Sequence, residues 1–329
     1  MAMNGEVAHT TNGSSQAPTP STTDNDLSQL RKALDTAYDP HTSAELRQQA
    51  TALLDEAKHH PQAPTYGFQL AVEKSHPPTL RHYGLSMLEF SIRYVWDEYD
   101  QQQADEITHL VIQLARSISP QDPSFLRNKI AQLWTELAKR SWGDGWMDMD
   151  HHLVAFWETS LEHRALVLYI LEALSEDIFI REDAAAGVRG PELGRACVDI
   201  FVPQAVLQEH FSKRETGPQV RSGDQGWIMR LCEFLGQSLG PSWPDDQIRY
   251  CAIRSLGALR AAVAWVMPKA ISVTHCVDYF CQALESQPDV ELRTVTLPLS
   301  SIGSGNIADL SGGCRGFAGD LRPARAARR

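Results

Sequence analysis

Pro78-Thr79-Leu80-Arg81-His82-Tyr83-Gly84-Leu85-Ser86-Met87-Leu88-Glu89 is the stretch on which the fold turns. Its apolar residues Leu80, Met87 and Leu88, continued by Val95, recur at helical spacing and can face a core. The remaining positions His82, Ser86, Glu89 and Arg93 stand at i, i+4, i+7 and i+11 and form a polar stripe. The stretch ends on Ile92-Arg93-Tyr94-Val95-Trp96, and a second helix end echoes it: Ala138-Lys139-Arg140-Ser141-Trp142. Each has a basic residue in the last turn, favoured by the negative end of the helix dipole. The tryptophans read as caps on repeated layers.

Upstream, Leu27, Leu30 and Leu34 are followed, after Asp39-Pro40, by Leu46, Ala50, Leu53, Leu54 and Ala57, again at helical spacing. Breaks fall at His60-Pro61, His76-Pro77-Pro78, Trp96-Asp97, Pro120 to Pro123, Gly143 to Gly145, Gly187 to Pro191, Gly217 to Gly226, Gly240 to Pro244, Pro268 and Pro288. No strand or hairpin pattern stands out between them. Helices expected near Pro78, Ser124 and Ala165 recur roughly every 40 to 46 residues, the period of HEAT-type helical hairpins. The predicted fold is all-α, a right-handed α-α superhelix of the HEAT/ARM-type solenoid kind.

The 329 residues carry 30 basic and 41 acidic side chains, a net charge of −11, with 43% apolar content. That balance opposes coating nucleic acid over the whole surface, which needs clustered Lys and Arg, and suits a protein that meets basic surfaces. Cys197, Cys232, Cys251, Cys276, Cys281 and Cys314 make no CxxC pair, and residues 1–16 have no apolar signal core, so a reducing cytosol or nucleus is expected. The most apolar run, Leu256 to Val273, is interrupted by Arg260, Pro268 and Lys269, and no membrane span is predicted.

Residue patterns for chemistry are sparse. His59-His60 and His151-His152 are adjacent pairs whose side chains diverge by about 100° on a helix, so no metal site is expected. No nucleophile-elbow, zincin, Walker or dinucleotide pattern occurs, and Gly303-Ser304-Gly305 lacks the strand and helix such a loop needs. Glu172, Glu176 and Asp177 read as a solvated stripe on a helix whose other face is Leu168, Leu171, Leu174 and Ile178, and Asp97-Glu98-Tyr99-Asp100 as a turn capping the next helix. No enzyme, cofactor or metal is predicted.

Ser43 to Trp96 resembles the importin-β N-terminal domain of nuclear transport receptors. The likeness runs through Ala44-Glu45-Leu46-Arg47-Gln48-Gln49-Ala50, Leu53-Leu54, Phe68-Gln69-Leu70-Ala71 and Leu80 to Glu89, the last being closest to the exportin-5 type. Ile130 to Trp142, Trp146-Met147-Asp148-Met149 and Leu168 to Asp177 resemble the exportin-1/importin-β-like domain, with Gly143 and Met147 where that family often has proline. In all, the resemblance spans about Asp26 to Glu291. It implies a karyopherin that holds Ran-GTP on the B helices of its first repeats, carries protein or structured RNA cargo, meets nucleoporins, and shuttles between nucleus and cytoplasm. Matching to those B helices makes Arg47, Gln48, His82, Ser86, Glu89, Arg93, Arg127 and Asn128 candidate Ran contacts. Each also fits a solvated helix face or an ion pair within a repeat. The alternative function is a HEAT-repeat interaction scaffold without Ran dependence, and a third an enzyme with a helical domain.

The expected organisation is a disordered leader over 1–25, importin-β N-terminal-like repeats over 26–120, exportin-1-like repeats over 121–290, and an irregular basic tail over 291–329. The tail, ending Arg322-Pro323-Ala324-Arg325-Ala326-Ala327-Arg328-Arg329, does not resemble the family. It reads as the product of a truncated or misjoined gene, or else as a basic arm for RNA or localisation. A solenoid so truncated would expose its last apolar layer and aggregate.

Overall fold

A computed structural model describes residues 22–181, 183–212, 219–240, 242–243, 245–286 and 289–296. Most of the expected leader, most of the expected tail, Gly303-Ser304-Gly305 and Cys314 lie outside the described residues. Two compact units divide at His60 and Pro61. The described residues are helical, with no strand among them.

In the first unit, α1 (Thr22–Tyr38) and α2 (Ala44–Ala57) form a helical hairpin that buries Leu30, Ala33 and Leu34 against Ala50 and Leu54. α1 begins a turn before Asp26, where the apolar period starts, because periodicity marks the buried face and not the length of a helix. Ser43 caps α2, its hydroxyl accepting from the Leu46 N–H at 3.3 Å.

The second unit opens with α3 (Ala63–Val72) and α4 (Pro78–Phe90), which cross at two glycines. A Cβ built on Gly84 would stand 2.5 Å from the Gly67 carbonyl oxygen, and one on Gly67 2.6 Å from that of Gly84. Backbone therefore meets backbone at this crossing, and only glycine fits. Beyond Phe90 the chain widens into a π-helical turn, Ser91–Val95, then a 3₁₀ turn, Trp96–Glu98. Asp100 and Gln103 close a capping box on α5 (Gln101–Arg116), as the acidic turn suggested.

There follow α6 (Ser124–Ser141), α7 (Met149–Trp157), α8 (Leu161–Phe179), α9 (Ala184–Val188), α10 (Gly190–Phe201), α11 (Gln204–His210), α12 (Trp227–Ser238), α13 (Asp246–Val263), α14 (Pro268–Val273), α15 (Cys276–Ser286) and α16 (290–296). α4, α6, α8 and α13 form a row, each packed on the next. α3, α5, α7 and α12 pair with them in the same order as an outer layer. This is HEAT-type pairing. The helix expected near Ala165 starts at Leu161, because the Ser160 hydroxyl caps the His163 N–H at 3.3 Å. Four helices separate α8 from α13, so the period read over α4, α6 and α8 lapses there.

The core follows the row. Trp134 and Trp142 are fully buried, and Trp134 lies 4.7 Å from Trp146 and 5.6 Å from Phe156 between ring centroids. At roughly 25 cal/mol per Å² each such ring contributes about 4–6 kcal/mol of gross burial. Asp150, buried at the start of α7, accepts 2.6 Å bonds from the Ser222 N–H and the Trp227 indole, tying the 219–226 segment and α12 to α7. Burial pushes its carboxyl up, against those two bonds.

The helix 290–296 corrects, as far as residue 296, the expectation of an irregular tail over 291–329. Asp289 caps it through the Glu291 and Leu292 N–H groups, and Leu292 and Thr296 are buried. About two turns are too short to register as periodicity. Asp289 also accepts from Arg249 at 2.6 and 3.1 Å and from the Trp243 indole at 3.3 Å. The Arg249 bonds, above all, hold its carboxyl at about 2. Its unfolded value is ~3.9, so the charged form stabilises the fold above about pH 4, and that contribution is lost as pH falls towards 2. We expect hydrogen exchange at 291–296 to accelerate across that window before the core helices lose protection. Asp289→Asn should produce the loss at neutral pH.

Candidate partner-binding face

The polar stripe predicted on α4 is real but unevenly free. Leu80, Met87 and Leu88 are buried as expected, and Val95 is half-buried. His82 is exposed, its ring 5.9 Å from Phe125 at the start of α6. Burial and then the Lys129 charge lower the His82 pKa, against the pull of Glu89. The Ser86 hydroxyl donates to the His82 carbonyl at 3.0 Å. Glu89 accepts from Lys129 of α6 and lies 3.6 Å from Arg93. Arg93 reaches Glu136 at 3.8 Å, and its carbonyl accepts from Arg140 at 3.3 Å.

Phe125 against His82 and Lys129 against Glu89 set the first turns of α6 beside α4. Arg127 and Asn128, between those contacts in sequence, are half-buried there. Five of the eight candidates thus fall on two adjoining helices, α4 and α6, and Arg93 on the π-helical turn that continues α4. Arg47 and Gln48 belong to the first unit. Arg47 donates to the Asp39 and Thr42 carbonyls at 3.0 and 3.2 Å, stapling the α1–α2 turn. Gln48 is exposed in a shallow depression along α2 that Ala44, Thr51 and Asp55 also line.

The row is joined by ion pairs that sequence reading missed. Lys139, 1% exposed, donates to Glu136 at 2.9 Å, Asp177 at 3.0 Å and Asp183 at 3.1 Å. Burial opposes its charge, yet those hydrogen bonds hold its pKa above normal. Burial likewise opposes the Asp183 charge, but the Ala186 N–H and Lys139 hold that carboxyl down. Glu136 also takes Arg140 at 3.0 Å. Glu172 meets Arg254 of α13 at 2.9 Å, and burial raises its pKa.

The stripe Glu172, Glu176 and Asp177 is therefore not a solvated face. Glu172 and Asp177 point into the joints with α13 and α6, and Glu176 holds Arg181 at 2.6 Å. Nor does Lys139 serve the helix dipole alone. One signal was present: Glu136 and Lys139 stand three residues apart among Leu133, Trp134, Leu137 and Ala138, and the structure buries every residue from Leu133 to Lys139, where charges have to be paired. A further joint sets Arg81 on Asp122 at 2.7 Å, with Lys74 on the same carboxylate at 2.6 Å. Burial pushes that carboxyl up, and its two cations more than offset this.

Among the described residues no group of His, Cys, Asp or Glu could hold a metal, and no helix is long and apolar enough to cross a membrane.

Residues 50–136 match the family model of the importin-beta N-terminal domain, and residues 123–195 that of the exportin 1-like protein. Protein MSN5 of Saccharomyces cerevisiae is 27% identical over 258 residues, 74% of this chain and 21% of that protein. Exportin-5 of Dictyostelium discoideum is 26% identical over 275 residues, 80% of this chain and 22% of that protein. Exportin-5 of Homo sapiens is 26% identical over 154 residues, covering 46% and 13%. The chain spans about a fifth of the length of the first of these relatives. A two-layer row of helix pairs carrying both matched domains, together with these relatives, supports an importin-β superfamily likeness of the exportin-5 type over the matched part of the chain.

Proposed function

We propose that this chain belongs to a nuclear export receptor that binds Ran-GTP together with cargo, protein or structured RNA, and shuttles between nucleus and cytoplasm past nucleoporins. In this reading residues 26–120 are importin-β N-terminal-like repeats and 121–290 exportin-1-like repeats. The observation that carries it is the adjoining of α4 and α6, with His82 against Phe125 and Glu89 on Lys129, so that Ser86, Arg127 and Asn128 lie on the same pair of helices. Glu89, Arg93 and Lys129 pair among themselves and with Glu136, fixing the edge on which a partner would rest. Fixed side chains lose little entropy on binding.

The test is a pull-down of the 329-residue chain with Ran loaded with GTP or GDP. We expect GTP-dependent capture, weakened about tenfold or ~1.4 kcal/mol by His82→Ala with Arg127→Ala. Equal capture of both nucleotide forms by folded protein would count against Ran dependence. It would leave the second reading, a HEAT-type scaffold, which gains support from the internal bonds already made by Arg47, Glu89 and Arg93.

A further inference from the structure

Three contacts set two helical stripes in register: His82 of α4 against Phe125 of α6, Glu89 on Lys129, and Arg93 3.8 Å from Glu136. On α6 the stripe runs Phe125, Lys129, Gln132 and Glu136, at i, i+4, i+7 and i+11, and Phe125 is its one apolar member. A second anomaly stands on the α4 side. Tyr83, Met87, Phe90 and Tyr94 share the same spacing, so a regular helix would carry Tyr94 to the side where Tyr83 and Met87 are buried. The π-helical turn Ser91–Val95 intervenes, and Tyr94 is 69% exposed. Such turns recur at functional sites, where local sequence rules are broken for a purpose. Of the large apolar and aromatic side chains from residue 61 to residue 179, all of them described, only Tyr94 and Phe125 are exposed, and both stand on this edge.

We propose that Phe125 and Tyr94 are the two anchors of the partner-binding face, and that they receive a surface apolar at two points about 18 Å apart and acidic between them. The inference rests on the reading of this edge as the Ran-GTP contact. The spacing is that of the twelve residues from His82, on which Phe125 leans, to Tyr94. The sign of the partner's charge follows from the ladder between the anchors. Arg93, Lys129 and Arg140 are met there by Glu89 and Glu136, and Glu136 is shared with Lys139. Arg127, beside them, has no carboxylate within ion-pairing reach among the described residues. The edge is thus cationic on a chain of net charge −11. Both rings are held in place before binding: Tyr94 lies 5.1 Å from Phe90 and 6.0 Å from the Arg93 guanidinium, and His82 backs Phe125 at 5.9 Å. Little side-chain freedom is left to lose. The ladder, already paired within the protein, contributes complementarity more than affinity.

The experiment titrates the 329-residue chain and its variants against Ran-GTP, with thermal melts alongside. We expect Phe125→Ala and Tyr94→Ala each to weaken binding about 10-fold or more and Ser86→Ala less than ~2-fold, all melting within ~2 °C of wild type because these side chains lie outside the core. Arg127→Glu should weaken binding at least ~10-fold, and salt at ~0.5 M should weaken the wild type. Should an alanine variant not fold, hydrogen exchange on the wild type decides, since 91–95 and 124–127 should slow on binding. Ran-GTP binding that both alanine substitutions leave unchanged, or no slowing at those segments, overturns the anchors while the Ran reading stands. Tighter binding by Arg127→Glu overturns the acidic complement, and no binding by folded wild type overturns both readings.

Discussion

Replacing Gly84 by alanine should cost ~3 kcal/mol or more and lower the thermal midpoint by about 6–12 °C. The added methyl would stand 2.5 Å from the Gly67 carbonyl oxygen and 2.9 Å from the Leu70 Cβ, and neither is the end of a flexible chain. Relief requires α3 and α4 to separate, which loosens Leu70, Met87 and Leu88 together. Gly67→Ala should behave alike, and the two changes combined should cost less than their sum, because a single separation relieves both. Gly187→Ala in α9 is the control, since nothing lies within 4 Å and helix propensity favours alanine. Melting all four variants beside wild type is decisive, and a Gly84→Ala midpoint within a degree of wild type would refute close crossing of these helices.

Lys139→Met should cost ~3–5 kcal/mol, because it leaves Glu136, Asp177 and Asp183 converging without the cation that neutralises them. Methionine fills nearly the same volume, so packing changes little and the loss is electrostatic. The sign with pH follows. In the variant, mutual repulsion raises the folded carboxylate pKa values above their unfolded values, so protonation favours the folded state as pH falls. The deficit relative to wild type should be largest at pH 7 and shrink below about pH 5. Lys139→Arg keeps the charge on a bulkier head and should recover part of the loss. Denaturant melts at both pH values check this, and a deficit under 1 kcal/mol or one indifferent to pH would show that the cluster is not a joint.

Much of this fold was legible. Pro61, Pro77, Pro123 and Gly143 mark where helices end or begin, and the apolar spacing of Leu80, Met87 and Leu88 named the buried face of α4. These features act within one turn or one helix, where dihedral restriction and a 3.6-residue period operate on neighbours in sequence. The candidate face was legible in part, since His82 is exposed as expected. Arg47 and Ser86 instead bond within their own hairpin or helix, and Glu89 and Arg93 are held by ion pairs. A helical wheel shows which side is polar but not what stands opposite.

The sequence by itself determined most of the helices, the breaks between them, the HEAT-type spacing of α4, α6 and α8, and the family likeness. Only the tertiary structure decided that Lys139 and Glu172 are joints and not surface, that Gly67 and Gly84 meet, and that Asp289 caps a last helix beyond Pro288. The reason is physical. A charge is stabilised or penalised by what lies within a few ångströms of it, and two of Lys139's three partners are 38 and 44 residues away in sequence.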